Sequence, residues 1–320
     1  MSIEVLAPGL ATLIQDGGRA GLRHLGIGSA GALDPWAFAL ANLVVGNPPG
    51  APVLEITLSG PTLRFHAPAR IVLCGAAVEA EVDGVPVPGH RCVDLPAGSA
   101  LHIGRCTAGA RAYLAVAGGL SVAATLGSAS TDLRGGFGGQ AGRVLRRGDQ
   151  LAMCPASIDV AALRIAPWWI EPACDDRPRG AEPLVRVLPG SDTTIPPDAL
   201  LGPAWQVRPD SSRQGLRLAG PALAREDDSE RVSEPVMPGT IQLPADGQPI
   251  VLLADAQTHG GYPRIGHAIR ADWPLLAQLR PGDRVRFAAC THAQARDALC
   301  RQRQRLHRIA LALDAKRALA

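Results

Sequence analysis

The stretch "LRRGDQLAM", Leu145 to Met153, closely matches "LRPGDRVRF", Leu279 to Phe287, in the other half of the chain. Each contains a basic residue, a Gly-Asp turn and a short run of alternating apolar residues that predicts a closing strand. A second pair of segments, "LSGPTLRF" and "RLAGPALA", shows the same kind of likeness. Internal repeats indicate a duplicated unit, so we predict two related β-barrel units.

Short strands separated by turns dominate the predicted secondary structure. The 36 Gly and 28 Pro are spread along the chain, which favours turns and short strands over a helical bundle. Strands are predicted within "LEITLSGPTLRF", "RIVLCGAAVEAEVDGVPV", "SALHIG" and "RAYLAVAGG". One helix is predicted in "LDPWAFALANLVVG", with Asp34 as its N-cap, Pro35 at its first position and Gly46 at its C-terminal end.

The fold class is therefore predicted to be mainly β with a few helices. We place an N-terminal β domain at residues 1–155, a linker or crossing segment at 156–183, a C-terminal β domain at 184–290 and a C-terminal helix at 291–320. The crossing segment is rich in Pro and Ala, and Trp168 and Trp169 are expected to pack it onto a domain surface.

Charge composition argues against several classes of function. The formal net charge is only +3, and the densest basic run, "RQRQRLHR", is expected to be the solvated face of a helix. Nucleic-acid binding is therefore not predicted. The only lysine, Lys316, lies near the C-terminus, so the core supplies no Walker-type, Schiff-base or biotinyl lysine. We expect any ATP or biotin to be presented mainly by a partner.

Cysteine spacing and hydropathy bear on the cellular compartment. The seven cysteines lie far apart without a C-x-x-C pair, which is typical of reduced thiols in a cytoplasm. The N-terminal "MSIEVLAPGLATLIQDGGR" lacks the basic and apolar regions of a signal peptide. No apolar run reaches the length of about 18 residues that a membrane span needs. A cytoplasmic location without membrane contact is expected.

Two polar clusters in the first half are candidates for a functional site, and each has a structural alternative. In "QDGGRAGLRHLGIGSAGALD", Asp16, Arg19 and His24 lie among glycines. Arg19 suits a carboxylate or phosphate, while a loop with an internal Asp16–Arg19 pair is about equally expected. In "GSASTDLRGGFGGQAGR", Arg134 is the candidate contact of a ligand-covering loop, and a flexible hairpin tip is the alternative.

Two further clusters lie in the second half. "PDSSRQG" contains Arg213, and "SEPVMPGTIQLP" contains Glu234 and Gln242. Nothing here resembles G-x-S-x-G, so Glu234 is a better candidate than any serine, as an orienting carboxylate or general base. "LLADAQTHGGYPRIG" gathers Asp255, Gln257, Thr258, His259, Tyr262 and Arg264. A turn-forming Asp is the alternative for Asp255. Because His259 and His267 are far apart and have no third ligand nearby, no metal site is predicted.

Taken together and in this order, these segments resemble the family of the 5-oxoprolinase C subunit, also known as the allophanate hydrolase subunit 2-like or biotin-dependent carboxyltransferase family. The likeness runs from about Ile3 to Phe287 and rests above all on "VLAPGLATLIQDGGRAGLRHLGIGSAGALDPWAFALANLVVGN", "GSASTDLRGGFGG" and "SEPVMPGTIQLPADGQPIVLLADAQTHGGYPRIG". One difference is that His259 stands where Thr is common. The resemblance implies two cyclophilin-like β-barrel domains.

The resemblance also implies work in a complex. It suggests the C subunit of a multi-subunit, ATP-dependent 5-oxoprolinase that converts 5-oxo-L-proline to L-glutamate beside two partners, a B-type, kinase-inhibitor-like protein and an A-type protein. ATP, with Mg²⁺, would be held at least partly by those partners. One alternative is the carboxyltransferase component of a biotin-dependent urea or amide carboxylase, with biotin on another chain. The other is a non-catalytic antagonist of the kinase-inhibitor-like partner.

On the 5-oxoprolinase hypothesis, the candidate residues take three roles. Acid–base or orienting roles are predicted for Asp16, Glu234 and Asp255. Contacts with a carboxylate or phosphate are predicted for Arg19 and Arg213. Substrate positioning is predicted for His24, Arg134, Gln242, Gln257, Thr258 and Tyr262.

Overall fold

The computed structural model describes residues 1–175, 182–191, 197–224 and 232–318. The chain divides into two compact units. The first consists of Met1–Arg19, Ala30–Ala173 and Leu306–Ala320, and the second of Ala20–Ser29 and Cys174–Arg305. The division falls inside the predicted crossing segment at 156–183, of which residues 176–181 lie outside the described residues. The finer domain boundaries stay a prediction.

An antiparallel sheet of ten strands forms the first unit. The strands are β1 (Ser2–Ala7), β2 (Ala11–Gln15), β3 (Val53–Thr57), β4 (Thr62–Phe65), β5 (Ala69–Val82), β6 (Val85–Pro86), β7 (Val93–Leu95), β8 (Ala100–Val116), β9 (Gln150–Ala152) and β10 (Arg164–Ile165). The longest path of hydrogen-bonded neighbours is β10-β7-β5-β8-β4-β1-β9, and β2 joins it through β3. Mainly-β structure is thus confirmed for this half.

The long pair β5–β8 organises the core of the first unit. Its register runs from Ile71 opposite Val116 to Val82 opposite Leu101, with shifts near Gly75 that bend the pair. "SALHIG" and "RAYLAVAGG", predicted as separate strands, are parts of the one strand β8, because β5 pairs with it along most of its length. The core side chains include Phe65, Ile71, Leu95 and Leu114. Burial of each contributes about 1.5–3 kcal/mol.

The predicted helix is present as α1 (Pro35–Val45), with the predicted caps. Asp34 accepts hydrogen bonds from the backbone N–H groups of Trp36 and Ala37 at 3.1 and 2.9 Å. Gly46 ends the helix with a φ of 93°, a left-handed conformation that glycine adopts without strain. The buried face of α1 packs on the sheet, in a cluster that includes Phe38, Leu40, Val72 and Tyr113.

A closed barrel of seven strands forms the core of the second unit. The unit contains β11 (Leu184–Pro189), α2 (Pro197–Leu201), β12 (Trp205–Val207), β13 (Gly215–Ala219), β14 (Glu234–Pro235), β15 (Thr240–Gln242), β16 (Ile250–Leu252), β17 (His259–Gly260), β18 (Arg264–Ala268), α3 (Trp273–Gln278) and β19 (Arg284–Ala289). The barrel order is β11-β18-β15-β16-β13-β12-β19, closed by parallel pairing of β19 with β11. The cyclophilin-like label for the two units stays a prediction.

The two repeated Gly-Asp turns have the same hydrogen bonds in both units. Asp149 accepts from the N–H of Arg146 at 2.7 Å, and Asp283 accepts from the N–H of Arg280 at 2.8 Å. Gly148 and Gly282 precede these aspartates with φ values of 87° and 91°. Each turn leads into a strand, β9 in the first unit and β19 in the second. The likeness of the two turns supports the predicted duplication.

The C-terminal helix α4 runs from His292 to Ala318 and begins with a capping box. Thr291 Oγ1 accepts from the N–H of Gln294 at 3.2 Å, and Gln294 Oε1 accepts from the N–H of Thr291 at 2.8 Å. The last two residues of the predicted helix, 319 and 320, lie outside the described residues. Among the described residues, none of the helices is long and apolar enough to cross a membrane.

Candidate functional site

A two-stranded ribbon in the second unit forms one wall of a cavity. β14 and β17 pair antiparallel, with Glu234 opposite Gly260 and Pro235 opposite His259. The ribbon joins two of the four clusters noted in the sequence, "SEPVMPGTIQLP" and "LLADAQTHGGYPRIG". Residues 233–242 and 252–266 therefore contribute to one site although a barrel strand separates them in the chain.

The cavity has a volume of about 380 Å³. Its lining consists of Ser191, Val232, Glu234, Gly260, Gly261, Tyr262 and Arg264. Arg264 Nη2 donates to Glu234 Oε2, and the Glu234 side chain is 56% exposed. Tyr262 is also half exposed. The cavity therefore presents the Arg264–Glu234 ion pair and a phenol to a small polar ligand.

Arg23 binds the backbone beside both strands of the ribbon, just after β14 and shortly before β17. Its Nη2 donates to the carbonyl oxygens of Val236 and Gln257 at 2.6 and 2.7 Å. Partial burial lowers the pKa of Arg23 from its ordinary value. The segment Ala20–Ser29, which contains Arg23, belongs to the second unit. Arg23 is therefore a positioning residue for the site.

Two glutamine side chains lie against Gly260. Gln257 Nε2 donates to Gln242 Oε1 at 3.3 Å, and Gln242 is 1% exposed. A Cβ atom on Gly260 would come within 2.7 Å of Gln242 Nε2. Among the described residues, Gln242 Nε2 has no hydrogen-bond partner. Glycine at 260 thus lets the cavity wall approach the buried amide.

Thr258 and His259 contact each other next to the ribbon. Thr258 is buried, and its Oγ1 lies 2.9 Å from His259 Nδ1. His259 itself is exposed. In the described part of the chain, no group of three or more His, Cys, Asp or Glu side chains is placed to hold a metal ion. His259 is therefore not part of a metal-ligand cluster there.

Arg213 and Asp255, two of the predicted site residues, bind each other. Their side chains form two parallel hydrogen bonds, Nε to Oδ2 at 2.8 Å and Nη2 to Oδ1 at 2.9 Å. Both side chains are buried, and neither lines the cavity. The fork of Arg213 is occupied by Asp255, so the geometry favours a structural role for this pair. Ligand contact by Arg213 and acid–base chemistry by Asp255 stay predictions.

Asp16, the third predicted acid–base residue, lies in the first unit and anchors a loop. Its Oδ1 accepts from Ser128 Oγ at 2.5 Å and from Ser130 Oγ at 2.6 Å. The N–H groups of Gly18 and Ala129 donate to the same carboxylate. Burial alone would raise the pKa of Asp16, but these four hydrogen bonds outweigh it and lower the pKa. A stabilised carboxylate of this kind is a weak base.

Arg19 supports the same loop from the other side. Its Nε donates to Thr125 O at 3.1 Å, and its Nη2 donates to Ser130 O at 2.7 Å. The guanidinium also stacks 4.6 Å from the ring centre of Phe137. Arg19 is 3% exposed, so the geometry favours loop support over ligand contact. The segment 127–143 is therefore an anchored series of turns rather than a free hairpin tip.

His24 and Arg134 are exposed, in different units. His24 lies in a short 3₁₀ turn, Arg23–Leu25, of the second unit. Arg134 follows Asp132, whose carboxylate accepts from the N–H groups of Arg134 and Gly135. Neither His24 nor Arg134 lines the cavity. The substrate contacts of His24 and Arg134 stay predictions.

Comparison with known proteins identifies the family. Residues 25–289 match the family model of the carboxyltransferase domain, subdomains A and B. The chain belongs to this carboxyltransferase domain family. The matched region contains every residue that lines the cavity, whereas Asp16, Arg19 and His24 precede it.

The chain is similar to proteins of two named kinds, 5-oxoprolinase C subunits and urea amidolyases or carboxylases. The C subunit of 5-oxoprolinase from Escherichia coli (strain K12) is 39% identical over 300 residues, which cover 92% of this chain and 93% of that protein. The urea amidolyase of Saccharomyces cerevisiae is 32% identical over 92% of this chain but only 17% of its own length. The crystal structure of the Kluyveromyces lactis urea carboxylase superposes with a TM-score of 0.87 at 30% identity, over 96% of this chain and 29% of that one.

Two arginines of the site, Arg23 and Arg264, had no role predicted from the sequence. Arg264 lies in the quoted stretch "QTHGGYPRIG", so its position beside Tyr262 was a usable signal. Arg23 gave no such signal, because its partner Gln257 is 234 residues away along the chain. Only the folded structure of this carboxyltransferase-family protein brings the two segments together.

Proposed function

We propose that this chain is the C subunit of a multi-subunit, ATP-dependent 5-oxoprolinase that converts 5-oxo-L-proline to L-glutamate in the cytoplasm. The observation that carries the proposal is the extent of the match to the Escherichia coli protein, 39% identity over 93% of its length. The partners would be an A-type protein and a B-type, kinase-inhibitor-like protein of the same enzyme.

The chemistry of the cavity supports this substrate class. 5-Oxo-L-proline is a five-membered lactam that carries one carboxylate, and it is small enough for a cavity of about 380 Å³. Arg264 would bind the substrate carboxylate, and Tyr262 would orient the ring by its phenol or its ring face. Glu234, at the cavity edge, would orient the lactam N–H or accept a proton during ring opening.

ATP would be held at least partly by the partner proteins. This chain lacks a Walker-type lysine, since Lys316 is its only lysine. No step through ATP is therefore assigned to this chain, whose own residues would bind and orient the lactam.

A reconstitution experiment tests the proposal. The chain is combined with its A-type and B-type partners, and ATP-dependent release of L-glutamate from 5-oxo-L-proline is measured with this chain present and omitted. Loss of one charge-assisted hydrogen bond to substrate costs about 1.5–3 kcal/mol, so Arg264→Ala should lower kcat/KM at least about tenfold. Arg208→Ala, at an arginine of the same unit whose side chain is 38% exposed, is the matched control. Glutamate release that is independent of this chain would overturn the proposal.

A second candidate is the carboxyltransferase component of a biotin-dependent urea or amide carboxylase. The structural similarity to the Kluyveromyces lactis urea carboxylase, with a TM-score of 0.87, favours it. Biotin would be attached to a partner, because Lys316 lies near the C-terminus outside the cavity. Biotin- and bicarbonate-dependent carboxylation of urea by this chain together with a biotin carboxylase partner, without glutamate release from 5-oxoproline, would favour this second function.

A further inference from the structure

A second cavity lies entirely within the first unit. It has a volume of about 350 Å³ and lies among the C-terminal end of α1, strands β7 and β10, the segment after β10 and the last turns of α4. All of its lining residues belong to the first unit. None of the residues predicted from the sequence to bind substrate contributes to it.

The floor of this second cavity is apolar. Val44 and Val45 come from α1, Leu313 from α4, and Trp168 from the segment after β10. Cys92 also contributes, and its Sγ donates to Val44 O at 3.2 Å. Burial raises the pKa of the Cys92 thiol to about 11, so it is neutral and adds no negative charge. The floor therefore suits the apolar body of a small molecule.

Four cations and one carboxylate surround this floor: Arg70, Arg164, Lys316, Arg317 and Asp94. Two of the cations are already engaged. Arg70 binds Asp94 through a fork, Nε to Oδ1 at 2.6 Å and Nη2 to Oδ2 at 3.0 Å. Arg317 donates to the carbonyl oxygen of Leu43 at the end of α1 and to Asp314 Oδ1 at 2.9 Å.

The other two cations, Arg164 and Lys316, give the cavity its excess positive charge. Among the described residues, neither makes a salt bridge with an acidic side chain. The Lys316 ammonium lies 5.2 Å from the ring centre of Trp168, so the indole holds it at the cavity. Two cations beside an apolar floor match a ligand that has one charged end and one apolar end.

We propose that this second cavity binds a small organic carboxylate, with Lys316 and Arg164 contacting the carboxylate and the floor of Val44, Leu313 and Trp168 covering the apolar body. The ligand would contact α1, β10 and α4 simultaneously. Its binding would therefore stabilise the packing of the last turns of α4 within the first unit. This binding site is separate from the proposed 5-oxoprolinase site, and neither proposal depends on the other.

The single lysine makes a selective experiment available. Reductive methylation of the full chain with ¹³C-formaldehyde labels Lys316 as its only lysine and retains the positive charge. The labelled N-terminal amine serves as an internal reference in the NMR spectrum. Benzoate is the probe, benzamide is its neutral analogue of the same shape, and acetate is a carboxylate without the apolar body.

The expected result is a saturable shift of the Lys316 signal with benzoate at low ionic strength, with the N-terminal signal unchanged. Benzamide lacks the negative charge and acetate lacks the apolar body, so each should bind at least about fivefold more weakly than benzoate. Arg164→Ala should weaken benzoate binding to a similar degree, and added salt should weaken it further. Arg164 is exposed, so this variant should fold normally.

Arg147→Ala, at another exposed arginine of the first unit, is the matched control and should bind benzoate like the unmodified sequence. Trp168→Ala provides a second, independent variant, which should remove the shift. Equal, non-saturating shifts with benzoate and benzamide would overturn the proposal. So would benzoate binding that Arg164→Ala leaves unchanged.

Discussion

Arg213 and Asp255 form a buried salt bridge with two hydrogen bonds, and they are 42 residues apart in the chain. The backbone N–H of Asp255 also donates to the carbonyl oxygen of Arg213 at 3.1 Å. The pair therefore ties the segment before β13 to the segment after β16. From the sequence, Arg213 is a candidate ligand contact and Asp255 a candidate acid–base or orienting residue, and each has the other as a partner in the fold.

The first prediction concerns the stability that this pair contributes. Arg213→Met removes the guanidinium from a buried carboxylate and should lower the free energy of unfolding by about 3–5 kcal/mol. The double variant Arg213→Met/Asp255→Leu should lose clearly less free energy of unfolding, because both charged groups are then absent and none is left buried without its partner. Urea unfolding measures both. Arg208→Met, which breaks an exposed pair with Asp210, is the control and should cost no more than about 1 kcal/mol.

Asp16 should make stability depend on pH in the acid range. Its pKa is lowered below the ordinary value of 3.8 in the folded protein, so the folded state binds fewer protons than the unfolded state. The stabilisation is present above that value and is lost as the pH falls through the lowered pKa. Asp16→Asn should cost about 1–3 kcal/mol near neutral pH, and the difference from the unmodified protein should shrink in acid. An undiminished difference in strong acid would contradict this.

The control for Asp16 is Asp159→Asn, at an exposed aspartate of the same unit. It should leave both the stability and its acid dependence nearly unchanged. Thermal unfolding followed over a pH series gives both quantities.

Gly260→Ala should disturb the cavity wall. The added Cβ would lie 2.7 Å from Gln242 Nε2, and Gln242 is buried, so the amide has little room to move. In the reconstituted complex we expect a raised KM with a smaller change in kcat. Adding Gln242→Ser should relieve the contact and recover part of the loss. Gly50→Ala, where an added Cβ meets no heavy atom within 4 Å, is the matched control.

Arg23→Ala tests whether Arg23 positions the cavity wall. Without the two hydrogen bonds to Val236 O and Gln257 O, the segment that carries Gln257 should move. We expect a loss of activity of about tenfold or more in the reconstituted complex, with far-UV circular dichroism unchanged. Arg301→Ala, at an exposed arginine of the second unit, is the control and should have a much smaller effect. Equal losses for both variants would contradict the role of Arg23.

His267 should destabilise the second unit in mild acid. Burial lowers the pKa of His267 below its ordinary value of 6.5, and the charge of Arg264 lowers it further. The unfolded chain therefore binds a proton more readily, and stability falls as the pH drops through about 6.5 toward the lowered value. His267→Gln should reduce the loss of Tm between about pH 7.5 and 5.5. His307→Gln, at an exposed histidine, should leave that loss unchanged.

Local sequence patterns predicted much of the fold. Asp34, Pro35 and Gly46 marked the ends of α1 because caps and helix breakers act within a few residues. The repeated Gly-Asp turns indicated duplication because Gly148 and Gly282 both need a positive φ that side chains oppose. Strand continuity was harder to predict. β8 crosses a stretch that looks like a turn, and its partner β5 supplies the hydrogen bonds that keep it extended.

The candidate site was predicted only in part. Glu234 and Tyr262 line the cavity, and Gln242, Gln257 and Thr258 lie near its wall. Asp16 has the right chemistry for an acid–base role and Arg19 for ligand contact, and both side chains anchor the loop at 125–130. Residue type indicates what a side chain is able to bind. It does not indicate whether another part of the chain already binds it.

The sequence by itself determined the family, the mainly-β class, the caps of α1 and the scarcity of lysine, since each depends on residue type or on neighbours a few positions away. Only the tertiary structure decided the partners of Arg23, Arg213 and Asp16, which lie 42 to 234 residues along the chain. Burial of apolar surface drives folding and brings such distant groups close together. Which polar groups then form hydrogen bonds inside the protein depends on how all the elements pack.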